Sequence, residues 1–200
     1  MENITTKKIV LNGVMIALVF LATVFTRIPG PVPPGYINFG DAVIMVAAVL
    51  LGRNSGLAAG AFGSALADII APGGLIFAPI TFIVKGLEGY LIGRIAHVNK
   101  HRDTIEYKTE IDSGKSELSN KSSGKYEIRK IAAIITGALV MVVGYFIAEL
   151  SILKLVDQSF GYTAAISELP FNLIQGGISS VLGYVLSTLL EKAGIQRLLE

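Results

Sequence analysis

The chain has 200 residues, of which 52% are hydrophobic and 16% charged, and its mean hydropathy is +0.63. That composition excludes an ordinary soluble domain, and the absence of cysteine excludes disulfides and thiolate metal sites. The net charge of +2 carries no message about nucleic acid, because the charges are distributed as a membrane topology distributes them.

The first apolar stretch, roughly Thr6 to Thr26, follows Lys7 and Lys8. No small-residue cleavage site intervenes before Arg27, so it reads as a retained first helix rather than a signal peptide. Gly13 and Ala17 form a small-xxx-small pair, a flat strip on which another transmembrane helix can dock or simply pack. The next ten residues, Arg27-Ile-Pro-Gly-Pro-Val-Pro-Pro-Gly-Tyr36, hold four of the seven prolines. Proline fixes φ and donates no hydrogen bond, so the segment reads as a stiff loop, either a lid or a connector.

A second helix is expected from near Tyr36-Ile-Asn-Phe-Gly-Asp41 to about Leu51, short for a bilayer span. Asn38 and Asp41 sit at its start, where Asp41 suits either the helix dipole or a ligand. Gly52 to Gly56 reads as a tight turn carrying Arg53. A third helix then runs to Ile70, with Gly56, Gly60, Ser64 and Ala67 on one close-packing strip and Asp68 near its end.

The fourth helix, about Leu75 to His97, is the most informative. It is apolar enough to cross a bilayer, yet it carries Lys85 and Glu88 far from either end. Charges three apart on a helix can pair. At membrane depth they mark a functional site facing the bundle interior, or an ion pair that only fixes packing. Phe77, Thr81, Lys85 and Glu88 follow i, i+4, i+8, i+11 spacing and draw one polar-aromatic stripe.

Residues 98–126 are charged, serine-rich and without apolar periodicity, and read as a flexible cytoplasmic linker between helices 4 and 5. His97 and His101 fall in or beside it and read as solvated. A fifth helix, about Glu127 to Leu153, places Tyr145 and Glu149 four apart on one face. A sixth, about Ile166 to Lys192, places Glu168, Asn172 and Gln175 at i, i+4, i+7, a stripe of hydrogen-bonding groups that fits a ligand wall.

Lys and Arg concentrate on the side that holds the N-terminus, Arg53, the linker, Lys192 and Arg197; the other side has Arg27 and Lys154. The excess marks the first side as cytoplasmic. The expectation is therefore an all-α integral membrane protein, one six-helix domain over 1–200 with both termini cytoplasmic. Asn38, Asp41, Asp68, Phe77, Tyr145, Glu149 and Glu168 then converge in the outer half. Acids suit a ligand with hydroxyl or amino donors, the lysine suits a ring acceptor, and aromatics suit a flat ring. No GxSxG, HExxH or GxxxxGK[ST] pattern is present, so neither a hydrolase site nor an ATP-hydrolysing loop is expected, and no cofactor or metal is implied.

Five segments in this order carry a resemblance. They are Gly13-Val-Met-Ile-Ala17, Tyr36-Ile-Asn-Phe-Gly-Asp41, Gly63-Ser-Ala-Leu-Ala-Asp68, Ala78-Pro-Ile-Thr-Phe-Ile-Val-Lys-Gly-Leu-Glu-Gly89 and Glu168-Leu-Pro-Phe-Asn172. Together they resemble the substrate-binding S component of an energy-coupling factor (ECF) vitamin transporter, in the subgroup around hydroxymethylpyrimidine, vitamin B6 and riboflavin uptake. The resemblance implies a multi-pass protein of a prokaryotic plasma membrane, not an enzyme. Such a protein captures a small aromatic vitamin from outside, while a transmembrane coupling subunit and two cytoplasmic ATPases supply energy. It implies docking of the coupling subunit on the Gly13/Ala17 strip, where glycine replaces the family's first alanine. It also implies a gate formed by the loop with Pro31, Pro33, Pro34 and Tyr36. Substrate contacts are expected from Asn38, Asp41, Asp68, Phe77, Thr81, Lys85, Glu88, Tyr145, Glu149, Glu168, Asn172 and Gln175. A pyridoxine-type or hydroxymethylpyrimidine ligand leads, with riboflavin or a queuosine precursor as alternatives within the class. An autonomous ion-coupled transporter using Lys85 and Glu88 as a relay is the rival outside it, ahead of an intramembrane enzyme.

Overall fold

The computed structural model describes residues 2–98 and 116–195, with helical backbone alone for 2–5 and 116–123. Helix α1 spans Glu2–Phe25 and leads into a small antiparallel hairpin, β1 Ile28–Pro29 and β2 Tyr36–Ile37. Helix α2 spans Gly40–Leu51. A continuous rod follows, made of α3 Arg53–Ala58, a π-helical turn Ala59–Gly63 and α4 Ser64–Ile70. After a 3-10 turn at Gly74–Ile76 come α5 Ala78–Ala96 and α6 Ser116–Ala148. A second π turn at Glu149–Leu153, the short α7 Lys154–Val156 and α8 Tyr162–Lys192 complete the described chain.

Several boundaries differ from the sequence reading for local reasons. Helix α2 starts at Gly40, not near Tyr36, because Tyr36 and Ile37 pair with Pro29 and Ile28 in the hairpin. The turn expected over 52–56 shrinks to Gly52, whose φ of 92° lets the backbone reverse at once so that α3 begins at Arg53. Helix α8 begins at Tyr162, four residues before Ile166, because Gly161 at φ 133° supplies the break. The linker expected over 98–126 lies mostly outside the described residues, as does His101. Ser116 to Tyr126 carry helical backbone at the start of α6. His97 is a packing residue instead of a solvated one, its Nε2 donating to the Val49 carbonyl at 2.8 Å.

In a membrane the hydrophobic effect does not drive helices together, so close backbone approach and interhelical polar contacts must hold the bundle. The strip read on the third helix supplies the first. A Cβ on Gly60 would lie 2.2 Å from the Lys85 carbonyl oxygen, and one on Gly89 only 2.1 Å from that of Gly56. Glycine alone permits this backbone contact between the rod and α5. Helix α5 also packs on α2 and α6, while α8 closes the bundle against α2 and α6. Met45, Ala48, Val49, Ile92, Ala96, Ala133 and Ile134 fill one end of the core. Phe77, Ile80, Val84, Ala148, Leu153, Phe160 and Ala164 fill the other, with Phe77 and Phe160 edge to face at 5.5 Å.

At the first of these ends a polar clamp joins α6 to α8. Lys130 is fully buried and donates to Glu127 at 3.1 Å, Thr188 at 2.9 Å and Glu191 at 2.9 Å. Outward, large apolar side chains such as Ile83, Leu139, Ile174 and Val181 stand exposed, as a lipid-facing surface requires. Three stretches among the described residues, Thr6–Phe25, Gly124–Val156 and Tyr162–Lys192, are long and apolar enough to cross a membrane.

Candidate ligand-binding site

The apolar core is interrupted by one polar cavity of about 40 Å³, lined by Thr23, Gly35, Tyr36, Asn38, Ser64, Asp68, Phe77, Thr81, Lys85, Tyr145, Glu149, Glu168, Asn172 and Gln175. These residues come from α1, the hairpin, α4, α5, α6, the second π turn and α8, with Asn38 just after the hairpin and Phe77 just before α5. The second π turn contributes Glu149 to the lining, and Ser64 directly follows the first. A π turn widens the helix locally and offsets the side chains beyond it, a device frequent at functional sites.

Below the cavity floor lies an ion network. Lys85 forms its short salt bridge with Asp41 of α2, and its Nζ lies 3.5 Å from Glu88 Oε2. Their side chains are 2%, 1% and 0% exposed in the order Lys85, Asp41, Glu88. The pairing expected within one helix is thus secondary to a pairing between helices. Gln175 Nε2 donates to Asp41 Oδ2 at 2.7 Å, and Gln175 Oε1 accepts from the Asn38 N–H at 2.8 Å. A hydrogen-bonded path therefore runs from the end of the hairpin through α8 to the buried lysine. Above it, the hydroxyls of Thr81 and Tyr145 lie 2.8 Å apart, and the Lys85 ammonium stands 5.5 Å from the Tyr145 ring centre.

The hairpin closes the cavity. Val32 N–H donates to Glu168 Oε1 at 3.0 Å, the Tyr36 hydroxyl donates to Asp68, and Arg27 donates to the Ala67 carbonyl while stacking over the Tyr36 ring. Gly30 and Gly35 flank the Glu168 carboxylate so tightly that a Cβ at either would fall 2.8 Å or 3.0 Å from Oε1. A side chain at either position would push the carboxylate aside. The remaining space, about 40 Å³, is far below the 300–1,000 Å³ of typical small-molecule pockets. A ring-sized ligand therefore needs more room than this arrangement leaves.

Of the twelve substrate contacts expected from sequence, ten line the cavity, together with Tyr36 of the loop expected as a gate. Asp41 and Glu88 do not: they stand behind Lys85 and set its position and charge. Pro31, Pro33 and Pro34 belong to the hairpin without lining the cavity, while Gly13 and Ala17 lie exposed on α1 outside it. Sequence reasoning missed Thr23, Gly35 and Ser64 as lining residues. Thr23 and Ser64 are small hydroxyls in apolar helices, where bonding to the helix's own backbone is common, as Thr26 does to Ala22.

A family model described as the S component of an ECF-type riboflavin transporter matches residues 3–192. The chain belongs to the ECF-type S-component family. An uncharacterized protein in gap 3'region of Pyrococcus woesei is 31% identical over 175 residues, covering 87% of this chain and 95% of that one. A UPF0397 protein of Streptococcus agalactiae is 34% identical over 96 residues, 48% of this chain and 52% of its own length. The solved structure titled "Structure and mechanism of the S component of a bacterial ECF transporter" matches at a TM-score of 0.62 and 19% identity. That match covers 94% of this chain and 97% of that one, and it establishes the shared fold. This S component is thus a membrane substrate-binding subunit and not an enzyme, of a class that pairs with a membrane T component and ATPase subunits.

Proposed function

We propose that this S component captures a small aromatic vitamin or precursor of the pyridoxine or hydroxymethylpyrimidine type for ATP-driven uptake. The observation that carries this reading is the polar, aromatic-edged cavity closed by a hairpin that its own carboxylates hold shut. Phe77 and Tyr145 offer ring faces, and Asn172 and Gln175 offer amides. Riboflavin, the ligand in the matching family's description, is the second reading.

In this account the bundle spans the plasma membrane six times, with the rod of α3 and α4 counted as one span. The termini and the Lys130 clamp lie on the cytoplasmic side and the hairpin lies outside. The basic residues favour that orientation: Arg53, Arg94, Arg129, Lys130 and Lys192 sit at one end, against Arg27 and Lys154 at the other. A transmembrane coupling subunit docks on the exposed Gly13/Ala17 face of α1, and two ATPases complete the transporter.

Reconstitution tests this directly. Proteoliposomes holding the chain with its coupling subunit and ATPases accumulate labelled vitamin only when ATP is present, and the chain alone accumulates none. Accumulation by the chain alone under a pH gradient would instead make Lys85 and Glu88 an ion relay and the protein an autonomous transporter.

A further inference from the structure

The cavity's hydrogen-bonding capacity is strongly unbalanced. Asp68 Oδ2 and Glu149 Oε2 are buried without a partner, and both side chains line the cavity. Asp68 is 5% exposed and Glu149 3%, so bulk water does not satisfy these oxygens. A buried acceptor left unpaired is costly, so each favours an incoming N–H or O–H. The hydroxyls of Ser64 and Thr23 are also unpartnered there and can serve a ligand either way.

The positive charge of the lining, by contrast, is engaged; Arg27, whose Nε is buried without a partner, donates to the Ala67 carbonyl and stands outside the lining. Among the described residues, Lys85 alone brings a cation to the lining, and it is held by Asp41 and Glu88. Anion recognition needs free Arg or Lys donors or a row of unclaimed backbone N–H groups. The inward N–H of the hairpin, Val32, is taken by Glu168. An entering phosphate or carboxylate would face the carboxyl groups of Asp68, Glu149 and Glu168, with no free cation in the lining to pair with it.

We propose that the cavity accepts an uncharged or cationic ring bearing hydroxyl or amino donors and rejects the phosphorylated or carboxylated form of the same ring. The ligand's donors fill Asp68 and Glu149, so charge and donor count, beyond ring shape, decide what is carried. This rests on the vitamin-capturing reading above. The chemistry also fixes the neighbouring steps: a phosphate ester in the medium must be hydrolysed before uptake, and the imported alcohol is a substrate for phosphorylation inside.

Calorimetric titration of the purified, ligand-stripped protein with matched pairs tests it: pyridoxine, hydroxymethylpyrimidine and riboflavin, each against its own monophosphate ester. The expected result is that at least one alcohol binds and that its phosphate binds at least 100-fold more weakly. In Glu149→Gln and Asp68→Asn, checked for unchanged melting, the alcohol weakens while that ratio falls at least tenfold. Equal affinity within a binding pair, or a ratio untouched by both substitutions, overturns the charge inference and leaves the vitamin reading standing. Binding by no member of any pair overturns the vitamin reading itself, and the inference with it.

Discussion

Replacing Lys85 by methionine removes the only positive charge facing Asp41 and Glu88 in the described bundle, while the side-chain volume barely changes. Both carboxylates are essentially inaccessible to water, and both Glu88 oxygens already lack a hydrogen-bond partner. Breaking a buried ion pair by removing one partner destabilises by about 3–5 kcal/mol, because an uncompensated charge is left behind. For a chain of this size each kcal/mol lowers the melting temperature by about 2–4 °C, so Lys85→Met is expected to lose roughly 6–20 °C in detergent. The decisive companion is the neutral triple variant Asp41→Asn, Lys85→Met, Glu88→Gln, which leaves no charge stranded and should recover most of that loss. Melting followed by intrinsic tyrosine fluorescence or scanning calorimetry reads both. If Lys85→Met melts within about 2 °C of the parent, the network is not the buried electrostatic lock described here. If the triple variant melts no higher than the single one, packing and not charge holds the site.

Three further outcomes follow from the same geometry. Glu168→Ala removes the carboxylate that receives the hairpin; a hydrogen bond to a charged group contributes about 1.5–3 kcal/mol, so ligand release measured by stopped flow should quicken roughly 10- to 150-fold with the fold intact. An unchanged release rate would mean the hairpin is not the gate. Gly13→Leu meets nothing within 4 Å in this chain, so ligand binding should persist while co-purification with the coupling subunit is lost; a recovered complex would refute docking on that face. Gly89→Ala drives a methyl group into the Gly56 backbone and should sharply reduce recoverable folded protein, whereas Gly177→Ala, with open space around it, should be tolerated. Similar yields of the two would show that the backbone contact between the rod and α5 is dispensable.

The stripe Phe77, Thr81, Lys85 could be read from sequence because helical spacing alone puts those positions on one face, and the bundle turns that face inward. The same holds for Glu168, Asn172 and Gln175 on α8. What spacing cannot supply is the partner across the bundle. Lys85 and Glu88 are near in sequence, so their pairing is visible; Asp41 is 44 residues from Lys85 and is the shorter contact. The π turns also left no mark, and they decide how Ser64 and Glu149 are placed against the cavity. The proline loop was legible as stiff, but not as a hairpin whose Gly30 and Gly35 make room for a carboxylate from α8. The Lys130 clamp went unread for the same reason, since Thr188 and Glu191 are distant along the chain.

The cavity beneath the hairpin is proposed to hold one small ring vitamin. Mass spectrometry of small molecules released from the purified, detergent-solubilised protein tests it most directly. The expected result is one pyridine or pyrimidine alcohol, unphosphorylated and close to one molecule per chain, and its loss from Asn172→Ala. A protein that releases no such molecule and binds none from an added vitamin panel would contradict it.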